Sequence, residues 1–312
     1  MFAEEITKPK LAVLFWCYKE VVLCRDRVAS LRKQNPDTPI YILFGGEPTD
    51  AEKFEHALSP FADDFYVFDE PPPLKSEEQV AKFREGVRWK YVFGDLLFIG
   101  WFKNRGVHLK WDTVVIVQWD MLIFGKINDL FSCLQTDEAL FSGLRPVAEV
   151  ETKWSWTSPD HPVEREMYER FMAYVAERYD YHAEPMCFVA IVLAMSRKFL
   201  EKFATIEEPA LGFLEYRLPV YADIFNIPVC KDHPFKPWWG AVEPYTVGSV
   251  LRALPFPIWE PVILLNLLKR NGARLFHPYW RLCPSGSLQW MKLLFAAFFR
   301  GLKAKIKGGP VC

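Results

Sequence analysis

An α/β fold with a mostly parallel central sheet flanked by helices is predicted by three stretches of this 312-residue chain. Leu11 to Cys17, Ile40 to Phe44 and Thr113 to Val117 are short apolar runs bounded by polar residues. Such runs are too short for typical helices and read as strands buried on both faces, as in parallel sheets. Between the first two lies a helical pattern from about Glu20 to Gln34, with Val21, Val22, Val28 and Leu31 near helical spacing and Asn35-Pro36 closing it. Strand, helix, strand at this spacing is the order a helix-covered parallel sheet requires.

Composition narrows the class. The length suits one large α/β domain or two smaller ones. Formal net charge is −1, so no global field favours nucleic acid. The seven cysteines are scattered with no Cys-x-x-Cys pair, which argues against a zinc cage or disulfide scaffold and suits a reducing compartment. Phenylalanine (26) and tryptophan (12) are abundant enough to point to stacking surfaces or a membrane face. The charged first ten residues lack an apolar signal core, and no apolar run reaches the roughly 18 to 20 residues that span a bilayer. A cytoplasmic protein, attached peripherally to a membrane surface, is expected, with a disordered tail over Gly308 to Cys312.

The remaining elements follow in order. Gly45-Gly46 ends the second strand, where the backbone can approach a ligand closely or simply turn. Phe65 to Phe68 is a third strand, stopped by Asp69-Glu70 and three prolines. Val80, Phe83, Val87, Tyr91, Phe98 and Trp101 form a helical stripe over Val80 to Lys103, with Gly86 as its break point. The strand from Thr113 ends at Gln118, which places Asp120 just past its carboxyl end, where ligands bind in open α/β sheets. Ala139 to Gly143 is another strand, Val163 to Tyr179 a helix with a core stripe, and Pro185 to Ala194 a strand followed by a helix that Ser196 caps. Between them, Glu149 to Pro162 carries Trp154, Trp156 and Asp160, a pattern that suits a sugar surface because pyranose faces pack on indoles. The last segment, 287–307, sets Lys292, Arg300, Lys303 and Lys307 beside Leu, Phe and Trp. That is a basic amphipathic helix fitted either to an anionic membrane or to the core.

The stretch from Thr113 through Gln118-Trp119-Asp120 to Phe131 resembles the metal-binding segment of GT-A glycosyltransferases. The family's usual signature is Asp-x-Asp; here an amide, Gln118, stands at the first position and Asp120 at the last. The resemblance implies a GT-A-like domain over 11–282, with a donor half at about 11–145 and an acceptor half at about 146–282. It would follow a lead of residues 1–10 and precede a basic helix and tail at 283–312. It implies transfer of a sugar from a nucleotide-diphosphate sugar to a hydroxyl acceptor, a glycan or a lipid-linked one, assisted by Mg²⁺ or Mn²⁺. Asp120 would hold the cation, joined by a late histidine, His277 or His233, and would stabilise charge on the leaving diphosphate. Trp16 would stack the base, with Gly45, Arg88, Lys90, Asp95 and Gln118 on the donor side. The strand after Asp120, Ala139 to Gly143, would be the metal strand's neighbour. Glu215, in Leu211 to Pro219, matches the acidic helix start that inverting members use as general base, with Asp223 as its rival.

Each of these residues also has a plainer reading. Asp120 would cap the turn, Trp16 would be core, the charged face of the 80–103 helix would be solvated, Glu215 would pair with Arg217, and His277 would be an ordinary surface or core residue. Two other functions stay open: a non-catalytic sugar- or membrane-binding relative, and a sugar-phosphate nucleotidyltransferase. The latter ranks lower because Trp16 to Glu20 lacks the Gly-rich loop it would need.

Overall fold

β1 (Leu11–Cys17) is buried along its whole length and stands inside a six-stranded sheet. The computed structural model describes residues 8–70, 77–83, 88–244, 246, 248–253 and 256–283, the side chains of 77–79, 88, 91 and 241 excepted. The helix expected over 287–307 lies outside them. In chain order α1 (Val21–Gln34), β2 (Ile40–Phe44), α2 (Ala51–Leu58), β3 (Asp64–Val67), α3 (Glu77–Phe83), α4 (Arg88–Val92) and α5 (Gly94–Asn104) come first. Next are β4 (Thr113–Gln118), β5 (Leu122–Ile123), α6 (Ile127–Leu130), β6 (Leu140–Phe141), β7 (Arg145–Pro146) and α7 (Pro162–Tyr179). The chain continues with β8 (Met186–Cys187), β9 (Leu193–Ser196), α8 (Arg197–Phe203), α9 (Leu214–Ile224), α10 (Glu260–Leu268) and β10 (Leu275–Phe276).

The strand order is β3-β2-β1-β4-β9-β6. β3, β2, β1 and β4 are parallel, in registers that include Val13 opposite Ile40 and Trp16 opposite Gln118. β9 runs antiparallel to β4, with Val115 opposite Ala194. The sheet is therefore α/β and mostly parallel. After β1 the chain moves outward through β2 and β3, then returns to lay β4 on the other side of β1. The order reverses between β1 and β4, and such a switch point leaves a crevice at the strands' carboxyl ends.

Three expectations are corrected. The strand at 140–141 is not a neighbour of β4: it pairs with β9, which intervenes. Pro185 to Ala194 is two short strands rather than one, because the buried Ser142 hydroxyl donates to Val189 O at 2.9 Å and accepts from Val192 N at 3.2 Å, holding a turn between them. The helix expected over Val80 to Lys103 is interrupted at Phe93, where α4 gives way to α5. A Cβ on Gly94 would sit 2.7 Å from Cη2 of Trp16, so the glycine lets α5 start against that indole. Ser196 caps α8 as its sequence predicts, accepting from Phe199 N at 3.3 Å.

α5 and α9 are joined by a fully buried ion pair. Arg217 Nε donates to Asp95 Oδ2 at 2.6 Å, its Nη2 contacts Oδ1, and neither side chain is exposed. Burial pushes the Asp95 carboxyl above its ordinary range, against the opposing pull of Arg217. Among the described residues, no helix is long and apolar enough to cross a membrane.

Candidate active site at the carboxyl ends of β1 and β4

The loops leaving β1 and β4 meet at the switch point. Trp119 N donates to Trp16 O at 3.0 Å, and the Trp119 ring meets Tyr18 edge-on at 5.9 Å, with Lys19 Nζ 4.8 Å from its centroid. A turn closed by Met121 N to Gln118 O then presents Asp120. β5 continues and pairs antiparallel with β10, Phe276 opposite Leu122. That pairing delivers residues 277–280 to Asp120, although they are far away in sequence.

Asp120 is held on several sides. Tyr279 N donates to its carbonyl at 2.8 Å, Trp280 Nε1 lies 3.4 Å from Oδ2, and His277 Nε2 lies 3.3 Å from Oδ1. Oδ1 itself is buried and receives no well-aligned hydrogen bond. Burial alone would raise the carboxyl's pKa. His277 and then Trp280 outweigh it, and the group ends below the usual carboxylate range. The neighbouring Tyr18 hydroxyl is pushed up, mainly by burial, with Asp120 adding to it.

His277 has only one ring nitrogen to spare. Its Nδ1 is 3.0 Å from the carbonyl oxygen of Arg252, which can only accept, so Nδ1 carries the hydrogen. In the neutral ring, Nε2 then turns a lone pair toward a carboxylate oxygen. Two acceptors 3.3 Å apart need a proton or a cation between them. One carboxylate oxygen and one imidazole nitrogen are donors that Mg²⁺ or Mn²⁺ accepts. Among the described residues no cluster of three His, Cys, Asp or Glu side chains forms, so water and substrate oxygens would supply the remaining ligands, as is usual for Mg²⁺.

The segment over Asp120 is itself clamped from α1. The buried guanidinium of Arg27 donates to Tyr279 O at 2.9 Å and Arg281 O at 2.6 Å. Asp26 pairs with Arg27 and accepts from Cys283 N at 2.7 Å. Sequence reasoning missed Asp26, Arg27 and Trp280. Trp280 follows His277 by three residues, but nothing in α1 marks its arginine as a clamp.

Glu215 opens α9, 6% exposed. Ala190 N donates to its Oε1 at 2.7 Å, and Phe188 N to its backbone carbonyl at 2.9 Å. Burial pushes its carboxyl up to about 8, and the Ala190 hydrogen bond opposes only part of that rise. Gln118 reaches the same turn from β4, its Nε2 donating to Ala190 O. A carboxylate could not donate there, so this contact calls for an amide at the position where Asp-x-Asp has its first acid. Gln118 and Glu215 thus both bind the turn of residues 188–192, at Ala190.

The structure puts other predicted residues to different uses. Trp16 is 4% exposed, edge-on to Phe98 at 5.6 Å and covered by Gly94, so it has no open face for a base. Asp95 is consumed by Arg217 and unavailable to a ligand. Gly45 packs close to α5: a Cβ there would lie 2.5 Å from Leu97 Cδ2, so the leucine would have to shift to admit it. Lys90 is buried, its Nζ 2.9 Å from Gly46 O and its pKa lowered by burial, so it braces the Gly45-Gly46 turn. The Arg88 side chain lies outside the described residues. Trp154 is buried against Phe213, Tyr216 and Trp239, and Trp156 stacks on Phe213 at 3.7 Å, so these two indoles pack inward; Asp160 is exposed. His233 accepts from Phe235 N at 3.2 Å, and burial lowers its pKa. A cavity of about 540 Å³ opens at the amino-terminal ends of the strands, lined by Lys8, Lys10, Thr38, Lys110, Asn128 and Phe131; Asp120 is not part of it.

The chain is similar to glycosyltransferases of known structure. LgtC, a galactosyltransferase solved with donor and acceptor sugar analogs, is 14% identical over 70% of this chain and 72% of its own, with a TM-score of 0.39. An active-site mutant of LgtC is 12% identical over 91% and 95%, at 0.44. The mannosyltransferase PcManGT from Pyrobaculum calidifontis, solved with GDP-Man and Mn²⁺, is 13% identical over 75% of this chain and 59% of its own, at 0.36. No protein-family model and no curated protein matches the chain.

Proposed function

We propose that this protein transfers a sugar from a nucleotide-diphosphate sugar to a hydroxyl of a glycan or lipid-linked acceptor, with a divalent cation, Mg²⁺ or Mn²⁺, at Asp120 and His277. The observation that carries the reading is the confrontation of Asp120 Oδ1 with His277 Nε2 at the switch point of the sheet, with Nδ1 already committed to a carbonyl. A pair of acceptors facing each other at the carboxyl ends of the strands is poised for a positive charge, and a cation held there attracts a diphosphate. When bound, the cation would neutralise charge developing on the leaving group.

The chain's own residues supply the rest. Asp120 supplies an anionic oxygen for the cation, and with His277 neutral its Nε2 lone pair faces the same point. Arg252, through its carbonyl, fixes the His277 tautomer. Trp280's contact with Oδ2, long for an N–H···O bond, is the one given up most cheaply to a ligand. Glu215 accepts the proton that the acceptor hydroxyl loses as its oxygen bonds to the anomeric carbon and the bond to diphosphate breaks. A pKa of about 8 suits a base working near neutrality. Gln118 holds the Ala190 turn, which binds the Glu215 carboxyl.

Calorimetry with UDP-, GDP- and CDP-sugars, with and without Mn²⁺, tests the reading. It expects one nucleotide class to bind, binding to require the cation, and Asp120→Asn to abolish it in a protein that stays folded. Failure of every nucleotide sugar to bind in the presence of Mn²⁺ would overturn it.

A further inference from the structure

Seven large hydrophobic side chains are exposed among the described residues, and five of them, Phe256, Leu265, Leu268, Trp280 and Leu282, fall within 256–282. The segments that carry them adjoin. Ile258 N donates to Pro278 O at 2.9 Å and Arg281 pairs with Glu260, so the segment 278–282 lies along the start of α10. Within α10, Ile263 turns inward to a small cluster with Leu122, Ile258, Phe276 and Tyr279, separate from the main core. Leu265 and Leu268, 58% and 73% exposed, turn outward, and Leu264 beside them is half-buried. The helix has no charged residue after Glu260, and it runs directly into Lys269 and Arg270, both exposed. Isolated exposed leucines are ordinary; a run of them on one helix, finished by two cations, is not.

We propose that the outer face of α10, with Phe256 and Leu282, is a membrane-docking surface that inserts its leucines into the headgroup boundary of an anionic bilayer while Lys269 and Arg270 engage the lipid charge. The sign of the neighbouring charges selects this occupant. The described chain ends at Cys283 beside this face, and the 29 residues that follow carry Lys292, Arg300, Lys303, Lys305 and Lys307 and no acidic residue. That sequence holds no acid that could neutralise Lys269 and Arg270, whereas an anionic surface attracts both. An apolar face flanked by cations is what interfacial helices present to such a surface. The surface stands independently of sugar transfer, but it adjoins that site: Trp280, 44% exposed on it, has its Nε1 3.4 Å from Asp120 Oδ2.

The full-length protein is centrifuged with phosphatidylcholine vesicles, with and without phosphatidylserine. Binding is expected to be strong only with phosphatidylserine. Leu265→Ser with Leu268→Ser should lower the partition coefficient at least about tenfold. Lys269→Ala and Arg270→Ala should each lower it about fivefold on phosphatidylserine vesicles. All four positions are exposed, and circular dichroism verifies that the variants fold. Unchanged vesicle binding in the leucine variant overturns the proposal and leaves residues 284–312 as the cover of this face. A leucine variant that changes the mass at sedimentation equilibrium but not vesicle binding also overturns it, in favour of a second copy of the chain.

Discussion

At Glu215 a neutral, nearly isosteric replacement separates the electrostatics of the site from its packing. The carboxyl is 6% exposed and its pKa is pushed from 4.5 to about 8 by burial, so no discount for solvent screening applies. The folded protein keeps the proton over an interval where the unfolded chain has lost it. Its contribution is therefore fully present below pH 4.5, declines as pH rises, and is gone above about 8. At about 1.36 kcal/mol per pH unit the loss is on the order of 5 kcal/mol. Glu215→Gln keeps an oxygen for Ala190 N and carries no proton to lose, so its stability should be flat across this window. Urea unfolding from about pH 5 to about pH 9 should show the wild type losing stability relative to the variant by several kcal/mol. Transfer by the wild type should rise with pH toward an apparent pKa near 8, and the variant should lose it. A stability difference that stays constant across that range would refute the raised pKa, and with it the case for Glu215 as a base matched to neutral pH.

Asp120→Asn and His277→Gln should each weaken Mn²⁺ binding by at least about 100-fold, since changes one shell further out already cost about 10- to 100-fold; electron paramagnetic resonance of free Mn²⁺ reads this directly. Asp95→Leu leaves the Arg217 charge buried and alone, and should cost about 3–5 kcal/mol in urea unfolding, most of it recovered by adding Arg217→Met. A single-variant cost under about 1 kcal/mol would mean that water reaches the pair. Gly94→Ala forces a methyl onto the Trp16 ring and should destabilise by about 1–3 kcal/mol, with a changed tryptophan fluorescence spectrum.

Much of the sheet was legible because its signal is local. Leu11 to Cys17, Ile40 to Phe44 and Thr113 to Gln118 are buried on both faces and say so in their own composition. Asp120 could be named from its place after a strand, and His277 from the GT-A resemblance, which implies a late histidine at the cation. That they face each other depends on β10 pairing with β5, two residues on each side, which no periodicity announces. Asp95 was expected on the donor side; its partner, Arg217, is 122 positions away, so nothing local marks it for a buried ion pair. Trp154 and Trp156 looked like a sugar surface because a polar, aromatic loop offers no periodicity to show which rings turn inward. Phe213 and Tyr216, which claim them, come from a different element.

The Arg27 clamp joins positions 252 and 254 residues apart. During synthesis, α1 leaves the ribosome long before its carbonyl partners do, so a guanidinium destined for burial waits in solvent while nearly the whole chain is made. Asp120 acquires its histidine and indole only when the last of these contacts closes. Nascent chains halted before residue 275 lack both side-chain partners of Asp120, so on the proposed reading they should bind no Mn²⁺ there.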